Sequence, residues 1–147
     1  MYSINKQATK VFATLLNKLQ DKDYLKLQSE GFMPLTIEKI ATGIETTSGK
    51  AFLISMVHYY EQNGDLMRDP EMVFIVIDKR QHAKDFENLF VYPQMYQQDN
   101  LGIYEESVCI EGNRLTTFIA RWQRGHADFA NHWLHNINIQ GFIKQTF

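Results

Sequence analysis

Ala51-Phe-Leu-Ile-Ser-Met-Val-His-Tyr-Tyr60 is followed by Glu61-Gln-Asn-Gly-Asp-Leu-Met-Arg-Asp-Pro70 and then by Glu71-Met-Val-Phe-Ile-Val-Ile77. The first block is dense in β-branched and aromatic residues, which pack well on a pleated surface. Met72–Ile77 is an unbroken apolar run, the pattern of a strand covered on both faces. Between them Asn63-Gly64 is a turn pair that accepts positive φ, and Asp69-Pro70 is a second turn signal. Two strands flanking one polar loop, Glu61–Pro70, read most simply as an antiparallel hairpin.

Upstream, Val11, Phe12, Leu15, Leu16 and Leu19 recur at the spacing of one helix face, with Ser3 or Asn5 placed as N-cap and Gly31 as a stop. From Pro34 the period becomes two, with Leu35 and Ile37 alternating with Thr36 and Glu38 in a strand that ends near Ala41. Thr42–Lys50 reads as a loop.

Downstream, Asp78–Asn88 is a charged connector with a helical turn, and Leu89–Gln97 a strand whose Pro93 predicts an edge position or a bulge. Gly102–Glu111 is a further strand. Leu115, Phe118, Ile119, Trp122, His126, Phe129, Trp133 and Ile137 step by three or four and predict a C-terminal helix, capped by Asn113 and followed by Gly141. Gly125 inside it costs about 1 kcal/mol relative to alanine and marks a bend or break. A competing reading pairs Leu115–Ile119 as a strand with Glu105–Ile110; the longer stripe favours helix. The expected fold is one α+β domain over residues 1–147, a mainly antiparallel sheet of about four or five strands with the N- and C-terminal helices packed on one face.

Composition narrows the class of protein. Of 147 residues, 44% are hydrophobic and 13% aromatic, enough for a core without a disulfide or metal. Fifteen Lys and Arg stand against seventeen Asp and Glu, a formal charge of −2, so the long-range field that nucleic-acid binding exploits is missing and a nucleic-acid partner is not favoured. The single cysteine, Cys109, sits between Val108 and Ile110 and reads as a small filler. No apolar run reaches membrane-spanning length and the N-terminus lacks a signal-peptide core, so the expected compartment is the cytoplasm.

The richest chemistry lies in the central hairpin. His58, Glu61, Asp65, Asp69 and Glu71 are the candidate catalytic residues: such carboxylates with an imidazole can hold a hard cation or act as general acid and base. Tyr60, Asn63, Arg68, Asp99 and Tyr104 are candidates for a ligand or partner surface. The spacing is not that of an EF-hand, and turns use Asp and Asn for their own sake. A nuclease reading fails at Asp78-Lys79, which are adjacent and so point to opposite faces of a strand. On the C-terminal helix, Asp128, His132 and His135 share one face and are weak candidate metal ligands with no identifiable fourth donor. His126, on the apolar stripe, reads as a packed histidine. No phosphate loop, nucleophile elbow or zinc motif is present, so no cofactor is expected.

Three stretches resemble a bacterial family of unknown function found on conjugative elements, plasmids and phages: His58–Met72, Tyr96-Gln-Gln-Asp-Asn-Leu-Gly-Ile-Tyr104, and Phe129–Ile137 with Gln140-Gly-Phe142. The resemblance implies a bacterial, cytoplasmic accessory protein and no particular reaction. The expectation is therefore a non-enzymatic binding domain with a protein partner, its oligomeric state open. The alternatives are a metal-assisted hydrolase or nuclease on the acidic hairpin, and a nucleic-acid binder or mimic.

Overall fold

In the computed structural model, which describes residues 1–144 of the 147-residue chain, the elements run α1 (Lys6–Leu19), β1 (Tyr24–Leu27), β2 (Leu35–Thr46), β3 (Gly49–Gln62), β4 (Asp65–Asp78), β5 (Leu89–Gln98), β6 (Ile103–Glu106), β7 (Val108–Glu111), β8 (Arg114–Phe118) and α2 (Ala120–Ile139). Asn5 caps α1 as expected, its Oδ1 accepting from the Ala8 N–H at 2.8 Å. The chain forms two helices and one mostly antiparallel sheet, with eight strands rather than four or five, in the order β6-β5-β4-β3-β2-β8-β7, and with β1 on β2.

Several local expectations need correction, among them the loop at Thr42–Lys50, which is strand except at Thr47 and Ser48. The central hairpin turns on Asn63 and Gly64 alone, with φ of 53° and 84°, and the ladder continues from Gln62↔Asp65, so most of the supposed loop is strand. The segment before α2 is strand β8, pairing with β7, and only Ile119 separates it from the helix, so the apolar spacing runs across two elements. The helix runs unbroken through Gly125. Its core face is Gln123, His126, Ala127, Ala130, Trp133, Leu134 and Ile137, which leaves Trp122 half-buried and Phe129 exposed. Pro93 meets its expectation: it pairs with Phe74 at a bulge where the register skips Gln94, and β6 pairs with β5 only from Met95 onward.

Strands β6 and β7 are separated by Ser107 alone, so the strand path closes on itself. The Ser107 N–H donates to the Gln94 carbonyl at 2.8 Å, and Gln94 Nε2 donates to the Val108 carbonyl at 3.0 Å. The closure gives two cores. Helices α1 and α2 cover one face, where Phe12, Leu15, Leu35, Ile54, Met56, Met72, Phe74, Leu134 and Ile137 are buried together. On the other face Ile44, Ala51, Ile75, Ile77 and Val108 pack with Leu53, Tyr92, Ile110 and Leu115 beneath the β7–β8 hairpin. That double cover is why Met72–Ile77 is apolar at every position.

Candidate functional site

The hairpin acids do not converge. Across the β3–β4 ladder Val57 faces Glu71 and Tyr59 faces Arg68, so β4 spends three residues where β3 spends two. This bulge, at Asp69-Pro70, suits a residue that cannot donate to a ladder. It also brings Arg68 and Glu71 onto the same face, which strict alternation would forbid.

On that face, away from the helices, the polar groups satisfy one another. Ser55 Oγ donates to Glu71 Oε2 at 2.6 Å, and Arg68 Nε lies 3.0 Å from Glu71 Oε1 without being aligned for a hydrogen bond. Asp99 Oδ2 accepts from the Arg68 N–H at 2.8 Å and from Arg68 Nη1 at 3.3 Å, while Gln97 Nε2 donates to its Oδ1. Asp99 thus ties the 3-10 turn Asp99–Leu101 to β4, and Gly102 leaves that turn at a φ of 65°, where a side chain is disfavoured. Burial, then the Glu71 carboxylate, raises the pKa of the adjacent Tyr59 phenol.

The remaining candidates lie elsewhere. His58 is buried on the helix side, its Nδ1 3.1 Å from both the Met33 and Pro34 carbonyls, and its ring packs on Trp133 and Phe142. Burial lowers its pKa. Asp69 accepts from Gln98 Nε2, whose Oε1 in turn accepts from the Tyr96 hydroxyl. Glu61, Asp65 and Asn63 are exposed at the tip, and Tyr60 is half-buried beside them. Tyr104 is exposed, its hydroxyl donating to Glu106 at 2.8 Å, which is the first cause of its raised pKa. Asp128, His132 and His135 line one cavity of about 430 Å³ with Asn5, Gln7 and Asn131. Among the described residues no three His, Cys, Asp or Glu side chains are placed to hold a metal ion. Cys109 is exposed, not a buried filler.

What this end of the sheet has is charge and apolar surface. Residues 58–72 and 96–106 hold seven carboxylates and one arginine, a net −6 in a chain of formal charge −2, so the rest of the molecule carries +4. Leu66, Leu101 and Tyr104 are 60%, 62% and 58% exposed there. The near-neutral total conceals this segregation.

On the helix side of β6 lies a group that sequence reasoning missed. His126 Nε2 is 2.9 Å from Glu105 Oε1 and Nδ1 is 3.0 Å from Ser107 Oγ. The Glu105 carboxylate can only accept, so Nε2 carries a proton, while Ser107 Oγ also donates to the Gln94 carbonyl at 3.3 Å. The order Ser–His–Glu looks hydrolytic, but Ser107 is only 1% exposed and no substrate reaches it. The group fastens the β6–β7 junction to α2. A polar residue in an apolar helix stripe was its one local sign; its partners come from the distant strand.

Two helices on one face of a mainly antiparallel eight-stranded sheet define an α+β domain with a charge-segregated sheet end. The chain belongs to the family described as Domain of unknown function (DUF6908), whose profile matches residues 7–143. No curated protein and no solved structure matches it. Among the described residues no helix is long and apolar enough to cross a membrane.

Proposed function

We propose that the domain is a non-enzymatic binding module whose acidic sheet end docks a basic, partly apolar segment of a protein partner. The carrying observation is the coincidence of net −6 with exposed Leu66, Leu101 and Tyr104 on one end of the sheet. Scattered exposed apolar residues need no explanation, but residues clustered inside a field of one sign match the chemistry of a docking site. Asp99 and Arg68 hold the Leu101 turn against β4, so the surface is ordered before binding. The acids are paired or splayed rather than gathered round a cavity, which supports docking over metal-assisted hydrolysis. The resemblance noted in the sequence extends this proposal to an accessory role in a bacterial cytoplasm, on a mobile element, with residues 1–147 acting as one domain.

Affinity capture compared between wild type and Leu66→Asp plus Leu101→Asp tests the reading. Both residues are exposed, so Tm should stay within about 2 °C while a specific captured protein is lost by about tenfold or more. The captured segment should be rich in Lys or Arg, and its binding should weaken with salt. An identical capture profile for the two proteins would refute the docking surface.

A further inference from the structure

A second concave site lies on the helix side of the β5–β6 edge, on the opposite face from Arg68 and Asp99 and bordering the acidic sheet end. It is a surface cavity of about 310 Å³ lined by Tyr96, Glu105, Arg121, Trp122, Gly125, His126 and Phe129. Gly125 occupies the interior of a 20-residue helix, where alanine is the preferred residue. A side chain there would meet nothing beyond its own helix turn: no other atom lies within 4 Å of the Cβ position. Packing within this chain therefore does not account for the glycine, but a ligand lying against the helix backbone would.

The walls describe that ligand. Trp122 and Phe129 stand three residues before and four after Gly125, so they flank the notch on the same helix face. Tyr96 packs edge-on to Phe129 with ring centroids 4.9 Å apart and closes one side. A planar aromatic ring suits this slot. Glu105 spends Oε1 on His126, its side chain is 36% exposed, and its second oxygen remains to accept from N–H donors. Arg121 is exposed at the rim, has no partner among the described residues, and can receive an anionic group.

We propose that this pocket binds a planar, N–H-bearing heteroaromatic ring that carries an anionic substituent, the chemistry of a guanine nucleotide. The base lies over Gly125 between Trp122 and Phe129, its adjacent N–H groups converge on the two lone pairs of the free Glu105 oxygen, and its phosphate meets Arg121. The cavity is at the small end of ligand sites and holds the base, with the phosphate at the mouth. The neighbouring charge selects a single nucleotide over a strand. Glu105 and Glu106 belong to the net −6 region, which repels a polyanion while one phosphate faces Arg121.

Titration of 5′-GMP against the intact chain, read by tryptophan fluorescence and calorimetry, tests the site. Wild type should bind saturably and prefer GMP to AMP by about tenfold, since adenine lacks the paired donors. Gly125→Ala is the decisive variant: filling the notch should weaken GMP binding about tenfold or more while raising Tm by about 2–4 °C, because alanine stabilises the helix. That opposite movement separates lost binding from lost folding. Arg121→Gln should weaken GMP but leave guanosine unchanged. A short guanine-containing single strand binding more tightly than GMP would assign the same pocket to a base within a strand. No saturable GMP binding by wild type, or full-strength binding by Gly125→Ala, would overturn the proposal. Either result leaves the docking surface at Leu66 and Leu101 untouched, because that test uses different residues and a different readout.

Discussion

The two faces of the β5–β6 edge carry polar clusters, each with a glutamate, that stand differently to solvent. On the open face Arg68, Glu71 and Asp99 form an ionic chain whose side chains are 39%, 17% and 19% exposed. On the helix face His126 is 6% exposed at its side chain, and Ser107 is sealed off beneath it. The first cluster can exchange its partners for water and is screened by salt. In the second, His126 and Ser107 are closed to water and depend on their protein partners, while only Glu105 reaches solvent. Polar side chains thus position a surface in one place and fasten the fold in the other.

The sharpest way to break this comparison is His126→Ala. Removing the imidazole takes away the Glu105 and Ser107 contacts and opens a cavity at the β6–β7 junction, at a cost of about 2–3 kcal/mol, although Ser107 Oγ keeps the Gln94 carbonyl as acceptor. Urea melts should show it, with Tm lower by about 6–10 °C. A loss below about 1 kcal/mol would mean that the closure rests on backbone pairing alone. Arg68→Ala should cost less, about 1 kcal/mol, since its partners are partly hydrated and the backbone bond to Asp99 survives. A double-mutant cycle with Asp99→Ala should return a coupling of about 0.5–1 kcal/mol that shrinks in high salt. If Arg68→Ala proved the more damaging of the two, the assignment of roles to the faces would be reversed.

The smallest effect concerns His58. Burial depresses its pKa in the folded chain, so the unfolded chain binds the proton more readily. Its contribution to stability is complete above the unfolded value, about 6.5, and is lost as pH falls from there through the folded pKa. Tm measured between about pH 7.5 and about pH 5 should fall less steeply in His58→Gln than in wild type. Equal slopes would show that the ring stays hydrated.

Much of the fold was legible along the chain. The α1 stripe, its Asn5 cap, the Asn63-Gly64 turn, the doubly covered strand at Met72–Ile77 and the bulge at Pro93 are all local statements of periodicity or turn chemistry. Less of the site was legible. His58 and Glu71 sit in one short segment and look like partners, yet they occupy opposite faces of the sheet. Arg68 and Glu71 look mismatched by alternation, yet the Asp69-Pro70 bulge unites them. The near-neutral total charge hid a sheet end at −6.

The sequence by itself determined the class of fold, the central hairpin and the kinship with a family of unknown function, because those depend on patterns spanning a few residues to a few turns. Only the tertiary structure decided the strand count, the closure at Ser107, the Glu105–His126–Ser107 fastening and the open notch at Gly125. Each of these depends on which distant segments meet, as when β8 pairs in parallel with β2 at Glu45↔Arg114. A side chain's role follows from the face it occupies, and a single extra residue in a strand changes that face.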